Sequence, residues 1–204
     1  MSLRSWFEIT KKIFLGVLLY SIANVLYLIV DPISSLTSFV DSVGTFAVGS
    51  SPVSGIAVFF DILTYLLLIG IAGGYVLFLL GLTNFSKILE MSDRNAVESV
   101  RNGAIVMIVG AVVDVLIWGF IGLIIYIVGF ILMIMGYSKL KNSPTFPQKA
   151  RNGASKLFTA MLLSLIGAIL GLIPLIGGFI NAILAIVAFF FILSGWATIR
   201  DAEK

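Results

Sequence analysis

The 204-residue sequence contains no cysteine and no histidine. Their absence excludes disulfide bonds, thiolate nucleophiles and any metal or general-base chemistry that depends on imidazole. Charged residues are scarce as well, at 11% of the chain, where a soluble domain carries roughly a quarter. Hydrophobic residues make up 60% of the chain, and the mean hydropathy is +1.15. The composition therefore indicates a protein whose solvent is largely lipid.

Familiar signatures of catalysis are missing too. The sequence has no glycine-rich phosphate loop, no paired carboxylates at catalytic spacing and no cluster of metal-ligating residues. We therefore expect no enzyme, no catalytic residue, no cofactor and no metal site. The net charge of +3 would suggest a nucleic-acid partner in a soluble protein. Because the basic residues lie in short loops between apolar runs, they are better explained as topology signals, and we expect no nucleic-acid partner.

Apolar segments long enough to cross a bilayer recur along the whole chain. Two runs, 103–137 and 157–199, exceed one span, since 35 helical residues rise about 52 Å and a hydrocarbon core is about 30 Å thick. Turn residues at Trp118-Gly119 and at 174–178 divide each run into two helices. The fold class predicted is all-α, one transmembrane domain over 1–204 with six helices in three consecutive hairpins. The predicted spans are 13–30, 58–82, 103–118, 122–137, 157–173 and 178–196.

All 13 lysines and arginines fall on one side of this arrangement. The positive-inside rule makes that side cytoplasmic, so both termini and a linker at 141–151 are predicted in the cytoplasm and a loop at 31–56 outside. We expect a multi-pass protein of the cytoplasmic membrane. Aromatic residues agree, because amphipathic rings favour the membrane interface. Those predicted at the inner interface are Trp6, Tyr137 and Trp196, with Trp118 at the outer one.

The chain has the pattern of a repeated helical hairpin. Residues 109–112 (Val-Gly-Ala-Val) recur 57 positions later as Ile-Gly-Ala-Ile, and Gly136-Tyr137 recurs 59 positions later as Gly195-Trp196. A weaker third copy is predicted to close the second span at 81–85. Helices three and four are thus predicted to be a parallel copy of helices five and six.

Ionisable residues inside a membrane are the default candidates for function, and two carboxylates qualify. Asp61 and Asp114 each lie about a turn from the outer end of a span. Together they predict either a proton- or cation-handling pair or two acids at the outer interface. Asn24 and Asn181 are further polar candidates, for hydrogen bonds between helices or for contact with a ligand.

Small residues at a spacing of four allow helices to approach closely. This pattern occurs at Gly70 with Gly74 and at Gly167 with Gly171. We predict helix packing at these glycines, either within the bundle or against an oligomer or partner subunit.

The part of the chain from about 79 to 198 resembles a family of archaeal multi-pass membrane proteins of unknown function. The resemblance lies in helices that end in glycine, an aromatic residue and a basic residue, in a Phe-Pro-x-Lys-Ala linker at 146–150, and in the stretch at 165–177. It implies an archaeal cytoplasmic membrane and carries no activity.

The expected function is that of a non-catalytic accessory or structural subunit of a larger membrane complex, with the lipid bilayer and other membrane subunits, or itself, as partners. The scarcity of buried polar residues and the small-residue faces favour this reading. The alternative is a small homo-oligomeric transporter or channel that uses Asp61 and Asp114.

The predicted topology is testable with single cysteines, because the native chain has none. In intact cells, Ser51→Cys should react with a membrane-impermeant maleimide. Asn142→Cys should react only after lysis, since it lies in the predicted cytoplasmic linker. Labelling of the two cysteines in the opposite order would reverse the topology.

Overall fold

The computed structural model describes residues 3–48, 54–117, 120–171, 173–174 and 176–203. Over these residues it contains helices and no strand, and six helices are long and apolar enough to cross a membrane. This confirms the predicted all-α fold with six spans. The helices are α1 (Leu3–Val48), α2 (Ser54–Ser86), α3 (Met91–Ile117), α4 (Phe120–Asn142), α5 (Gln148–Leu170) and α6 (Gly177–Arg200). The predicted turn at Trp118-Gly119 and residues 49–53 of the predicted outer loop lie outside the described residues.

The chain divides into two compact units. Unit 1 comprises Met1–Phe14 and Phe78–Lys204, and unit 2 comprises Leu15–Leu77. In unit 1, α3 packs against α4, α5 packs against α6, and α4 also contacts α5. Unit 2 contains the larger part of α1 and most of α2. The hairpins α3–α4 and α5–α6 therefore lie wholly in unit 1.

The linker between α4 and α5 is shorter than the sequence predicted. Residues 141–151 were expected to be non-helical, yet α4 continues to Asn142 and α5 begins at Gln148. Pro147 stands directly before α5, with φ −51° and ψ 137°. A proline is readily accommodated at a helix start, because the first helical amides have no partner within the helix. The polar residues that follow Pro147 are helical, so α5 begins about three turns before the predicted apolar span.

The first helix differs most from its predicted bounds. Residues 31–56 were expected to form a loop after Pro32, but α1 continues through this proline to Val48. Serine and threonine suggested the loop, and here their hydroxyls bond within the helix instead: Thr37 Oγ1 donates to the Ser34 carbonyl at 2.9 Å and Ser42 Oγ to the Phe39 carbonyl at 2.7 Å. Pro32 removes one backbone hydrogen bond, whereas ending the helix there would leave several carbonyls without partners.

Paired helices approach closely where one of them carries glycine. In each hairpin, a Cβ atom added to one particular glycine near the end of the second helix would lie 2.5–2.7 Å from a side chain of the first helix. Contacts this short leave no room for a methyl group. The three pairs are Gly81 with Ile13, Gly136 with Val100, and Gly195 with Leu157. The second and third pairs are related by the offsets of 57 and 59 residues found in the sequence.

Two turns further into each hairpin the pattern is repeated. A Cβ on Gly74 would lie 2.8 Å from the Gly16 carbonyl oxygen, and one on Gly129 would lie 2.6 Å from the Gly103 carbonyl oxygen. The corresponding residues of the third hairpin are alanines, Ala160 and Ala188, both buried. All three hairpins thus use equivalent contacts, including the first, whose similarity to the others is weakest in sequence.

Adjacent glycines in α2 provide a matched test of this packing. Gly74→Ala should lower stability by about 1–2 kcal/mol, because its methyl would meet the backbone of Tyr20 and Gly16. Gly73→Ala should be neutral or stabilising by up to about 1 kcal/mol, since nothing lies within 4 Å of its Cβ position and alanine favours helix. Denaturation in mild detergent measures both. Equal stability of the two variants would contradict the close contact.

Candidate functional site

The two candidate carboxylates lie in different units and have different surroundings. In unit 2, the Ser34 hydroxyl of α1 donates a hydrogen bond to the Asp61 carboxylate of α2. Ser34 is buried and Asp61 is half-buried. In unit 1, Asp114 is exposed near the end of α3, and its backbone lies against Gly122 of α4. Asp61 therefore has a defined partner between two helices, which the sequence did not predict.

Distance along the helices places the Ser34–Asp61 pair relative to a bilayer. Lys11 and Lys12 are exposed and mark the near membrane surface, because lysine ammonium groups stay in water. From Ile13 to Ser34, α1 rises about 32 Å, and from Lys87 back to Asp61 the chain rises about 39 Å. Since a hydrocarbon core is about 30 Å thick, a helix that crosses it without tilt brings the pair to the far boundary of the core, well away from its midplane.

The remaining predicted residues lie at helix contacts or on open faces. Asn181 of α6 is exposed, and its Oδ1 atom lies 2.8 Å from the position of a Cβ on Gly167. The Asn181 Cβ also lies 3.4 Å from the corresponding position on Gly171. These three residues therefore meet close to the α5–α6 turn.

In unit 2, Gly70 packs against Ala23, whose Cβ lies 3.3 Å from the position of an added Cβ. Gly74 meets the backbone of Gly16 and Tyr20 at shorter distances. Asn24 of α1 is half-buried. The four glycines singled out by their spacing thus all lie at contacts within the chain.

Beyond the Ser34–Asp61 pair, the first hairpin carries a further helical segment. We call residues 35–48 of α1 and 54–60 of α2 the hairpin extension. It presents large apolar side chains, with Leu36 63% exposed, Phe39 65% and Phe59 60%. The α1 part of the extension alone rises about 20 Å, which is about two-thirds of the thickness of a hydrocarbon core.

One end of unit 1 is built around buried aromatic rings. Trp6 is 1% exposed and its ring centroid lies 4.9 Å from that of Phe85 and 5.9 Å from that of Phe146. Trp6 Nε1 donates a 2.9 Å hydrogen bond to the carbonyl of Ile199. The start of α1, the ends of α2 and α6 and the linker therefore meet at one end, which we call the basic end because the charged termini of these helices lie there.

Trp6, Tyr137 and Trp196 differ from the expectation that they would lie in the membrane interface. All three are buried, and the Tyr137 and Trp196 ring centroids are 6.4 Å apart. Their rings fill the space where several helix ends converge, and packing against other aromatic rings stabilises them there. The sequence positions of aromatics at span ends agree equally well with both arrangements.

A buried carboxylate fixes the linker to the basic end. Asp93, in the first turn of α3, is 2% exposed and accepts hydrogen bonds from the hydroxyls of Ser143 and Thr145, the second at 2.9 Å. The sequence gives no sign of this contact, because the two hydroxyls lie 50 and 52 positions from Asp93. The partial positive charge at the start of α3 also stabilises this carboxylate.

Basic side chains at this end are held by rings and by polar groups. The Lys141 Nζ lies 3.6 Å from the centre of the Phe158 ring, and the Arg200 guanidinium lies 4.6 Å from the centre of the Phe14 ring. Arg200 also pairs with Asp201 at 3.0 Å. Over the described part of the chain, no group of three metal-ligating residues occurs. Two basic side chains at this end are therefore held over aromatic rings, and one of them also pairs with a carboxylate.

Comparison with known proteins adds no relative. No family model, no curated protein and no solved structure matches the chain. The resemblance to an archaeal membrane family consequently stays a prediction.

Replacing Asp93 should release the linker. Asp93→Ala leaves the buried Ser143 hydroxyl without its acceptor, which should cost about 1–3 kcal/mol. Trypsin should then cut faster at Lys141 or Lys149, which flank the linker, in detergent-solubilised protein. Glu98→Ala, on the same helix and paired only with the exposed Arg94, is the control and should leave cleavage unchanged. Unchanged cleavage in Asp93→Ala would contradict the anchoring role.

Proposed function

We propose that this chain is a non-catalytic accessory subunit of a larger complex in the cytoplasmic membrane, with its basic end in the cytoplasm. The hairpin extension carries the proposal, because it is a helical segment with exposed apolar residues that the bilayer is too thin to cover. The proposed partner is a different membrane protein that docks on this extension.

The length of the first hairpin supports a segment outside the membrane. At 46 residues, α1 rises about 69 Å. A helix tilted by about 40°, near the upper end of what is observed, crosses about 39 Å in a 30 Å core. Counted from Ile13, that length ends near Phe39 even at this tilt. Residues 40–48 therefore extend past the hydrocarbon under any ordinary tilt, and residues from Ser35 on do so at a small one.

Exposed apolar side chains indicate different surroundings inside and outside the hydrocarbon core. Within the bilayer they face lipid and need no partner. In water, a contiguous exposed apolar surface marks a site of protein interaction. At a small tilt the extension carries such residues on both of its helices, and a partner that docked there would cover them. They are Leu36, Phe39, Val40, Ile56, Val58 and Phe59.

Charge favours a different protein over a second copy. Unit 2 contains Asp31, Asp41 and Asp61 and no lysine or arginine. Two copies of unit 2 docked on each other would bring acids together with no lysine or arginine to offset them, which opposes association. A partner with an apolar centre and a basic rim complements this surface.

The close glycine contacts also fit a structural role. In all three hairpins, paired helices meet at distances that exclude a methyl group. Such contacts leave no room for water between the two helices of a hairpin, and this favours a packed structural element over a pore between those helices.

Native purification tests the proposal. From host membranes in mild detergent, the tagged chain should recover one membrane protein in stoichiometric amount, identified by mass spectrometry. Leu36→Asn with Phe39→Asn should reduce that recovery at least about tenfold, since exposed aromatic and aliphatic anchors carry most interface energy. Ser35→Asn, an exposed position in the same segment, should recover the partner as the native chain does.

A clean monomer or homodimer would contradict the accessory role. Flux assays on vesicles with Asp61→Asn and Asp114→Asn would then test the transporter alternative. Unaltered flux in both variants would exclude a role for these carboxylates in transport.

A further inference from the structure

A lysine and two hydroxyl groups meet on the surface of the α5–α6 hairpin, close to the basic end. Lys156 Nζ of α5 donates to Ser194 Oγ at 2.8 Å and to Thr198 Oγ1 at 3.1 Å, both on α6. Lys156 is half-buried and Ser194 is exposed. Among the described residues, no carboxylate lies within ion-pair distance of Lys156, whereas Arg94 and Arg200 each have one.

Some hydrogen-bond donors of this cluster have no partner among the described residues. An ammonium group has three N–H donors, and two of them are used by the hydroxyls. Thr198 Oγ1 donates to the Ser194 carbonyl at 2.7 Å and is thereby satisfied. The Ser194 hydroxyl accepts from the lysine, and its own proton bonds to no described residue. One ammonium N–H and one hydroxyl O–H therefore remain, which matches two oxygens of an anion.

The cluster lies where a phospholipid headgroup would lie. Lys156 directly precedes the apolar part of α5, which begins at Leu157. Phe190, Val187 and Ile183 lie four, seven and eleven residues before Ser194, on the same face of α6. They are exposed apolar residues, with Phe190 at 62%. This face, formed by Ile183, Val187 and Phe190, would contact acyl chains while the cluster contacts the headgroup.

We propose that Lys156, Ser194 and Thr198 bind the phosphate of an anionic phospholipid. Lys156 supplies the charge and one donor, Ser194 supplies the second donor, and Thr198 holds the ammonium in position. Basic sites between transmembrane helices recognise anionic headgroups in this way, with the acyl chains lying along the adjacent apolar surface. The site is independent of the proposed partner and of the hairpin extension.

Native mass spectrometry of the full chain, titrated with phosphatidylglycerol or phosphatidylcholine, measures this binding. The native chain should bind phosphatidylglycerol more tightly than phosphatidylcholine. Lys156→Gln should weaken phosphatidylglycerol binding about tenfold, because it removes a charge-assisted hydrogen bond, and Ser194→Ala should weaken it by a smaller factor. Lys149→Gln loses the same charge two turns earlier on α5 and should bind like the native chain.

Three outcomes would overturn the proposal. One is equal binding of the two lipids by the native chain. Another is unchanged phosphatidylglycerol binding by a Lys156→Gln variant whose melting temperature equals that of the native chain. In the third, inorganic phosphate at millimolar concentration displaces the lipid completely, so that the site belongs to free phosphate. If Lys156→Gln does not fold, the Ser194→Ala result decides, with loss of lipid selectivity supporting the site and its retention contradicting it.

Discussion

Backbone contact between paired helices is the interaction on which the rest of this protein depends. In lipid, apolar side chains gain nothing by leaving their solvent, so helices associate through close packing and hydrogen bonds instead. Here the packing is supplied by Gly81, Gly136 and Gly195, each set against a branched aliphatic residue of the preceding helix. The three hairpins therefore share the same kind of glycine contact and differ mainly in length.

Much of this could be predicted from the sequence, since glycine spacing and apolar length are local properties. The offsets of 57 and 59 residues correspond to equivalent contacts in the structure, and the four glycines chosen by spacing lie at helix contacts. The course of α1 through Pro32 could not be predicted, because a proline among serines and threonines is typical of a loop. Whether the serine and threonine hydroxyls bond within their own helix depends on contacts that the helix makes further along its length. A short stretch of sequence does not show those contacts.

The polar groups were harder to predict, for a different physical reason. Asp93 binds hydroxyls 50 and 52 positions away, and Asp61 binds a hydroxyl 27 positions away. Such pairs depend on which helix faces meet, and amphipathic patterning is weak in a chain that is apolar on all sides. Trp6, Tyr137 and Trp196 illustrate the same limit. Their positions at helix ends were clear, but their burial against other aromatic rings required knowledge that several helix ends converge.

The polar contacts of the two units differ. At the basic end, aromatic rings and the Asp93 anchor join helix ends that are far apart in sequence, so this end is fixed from within by unit 1 itself. In unit 2, the Ser34–Asp61 hydrogen bond joins two helices, and the hairpin extension that follows contains one acid, Asp41, and no lysine or arginine. Rings and hydrogen bonds within unit 1 stabilise the basic end, whereas an apolar extension in water would be stabilised by another surface that covers it. This difference between the two units is the physical reason to seek a protein partner at the first hairpin.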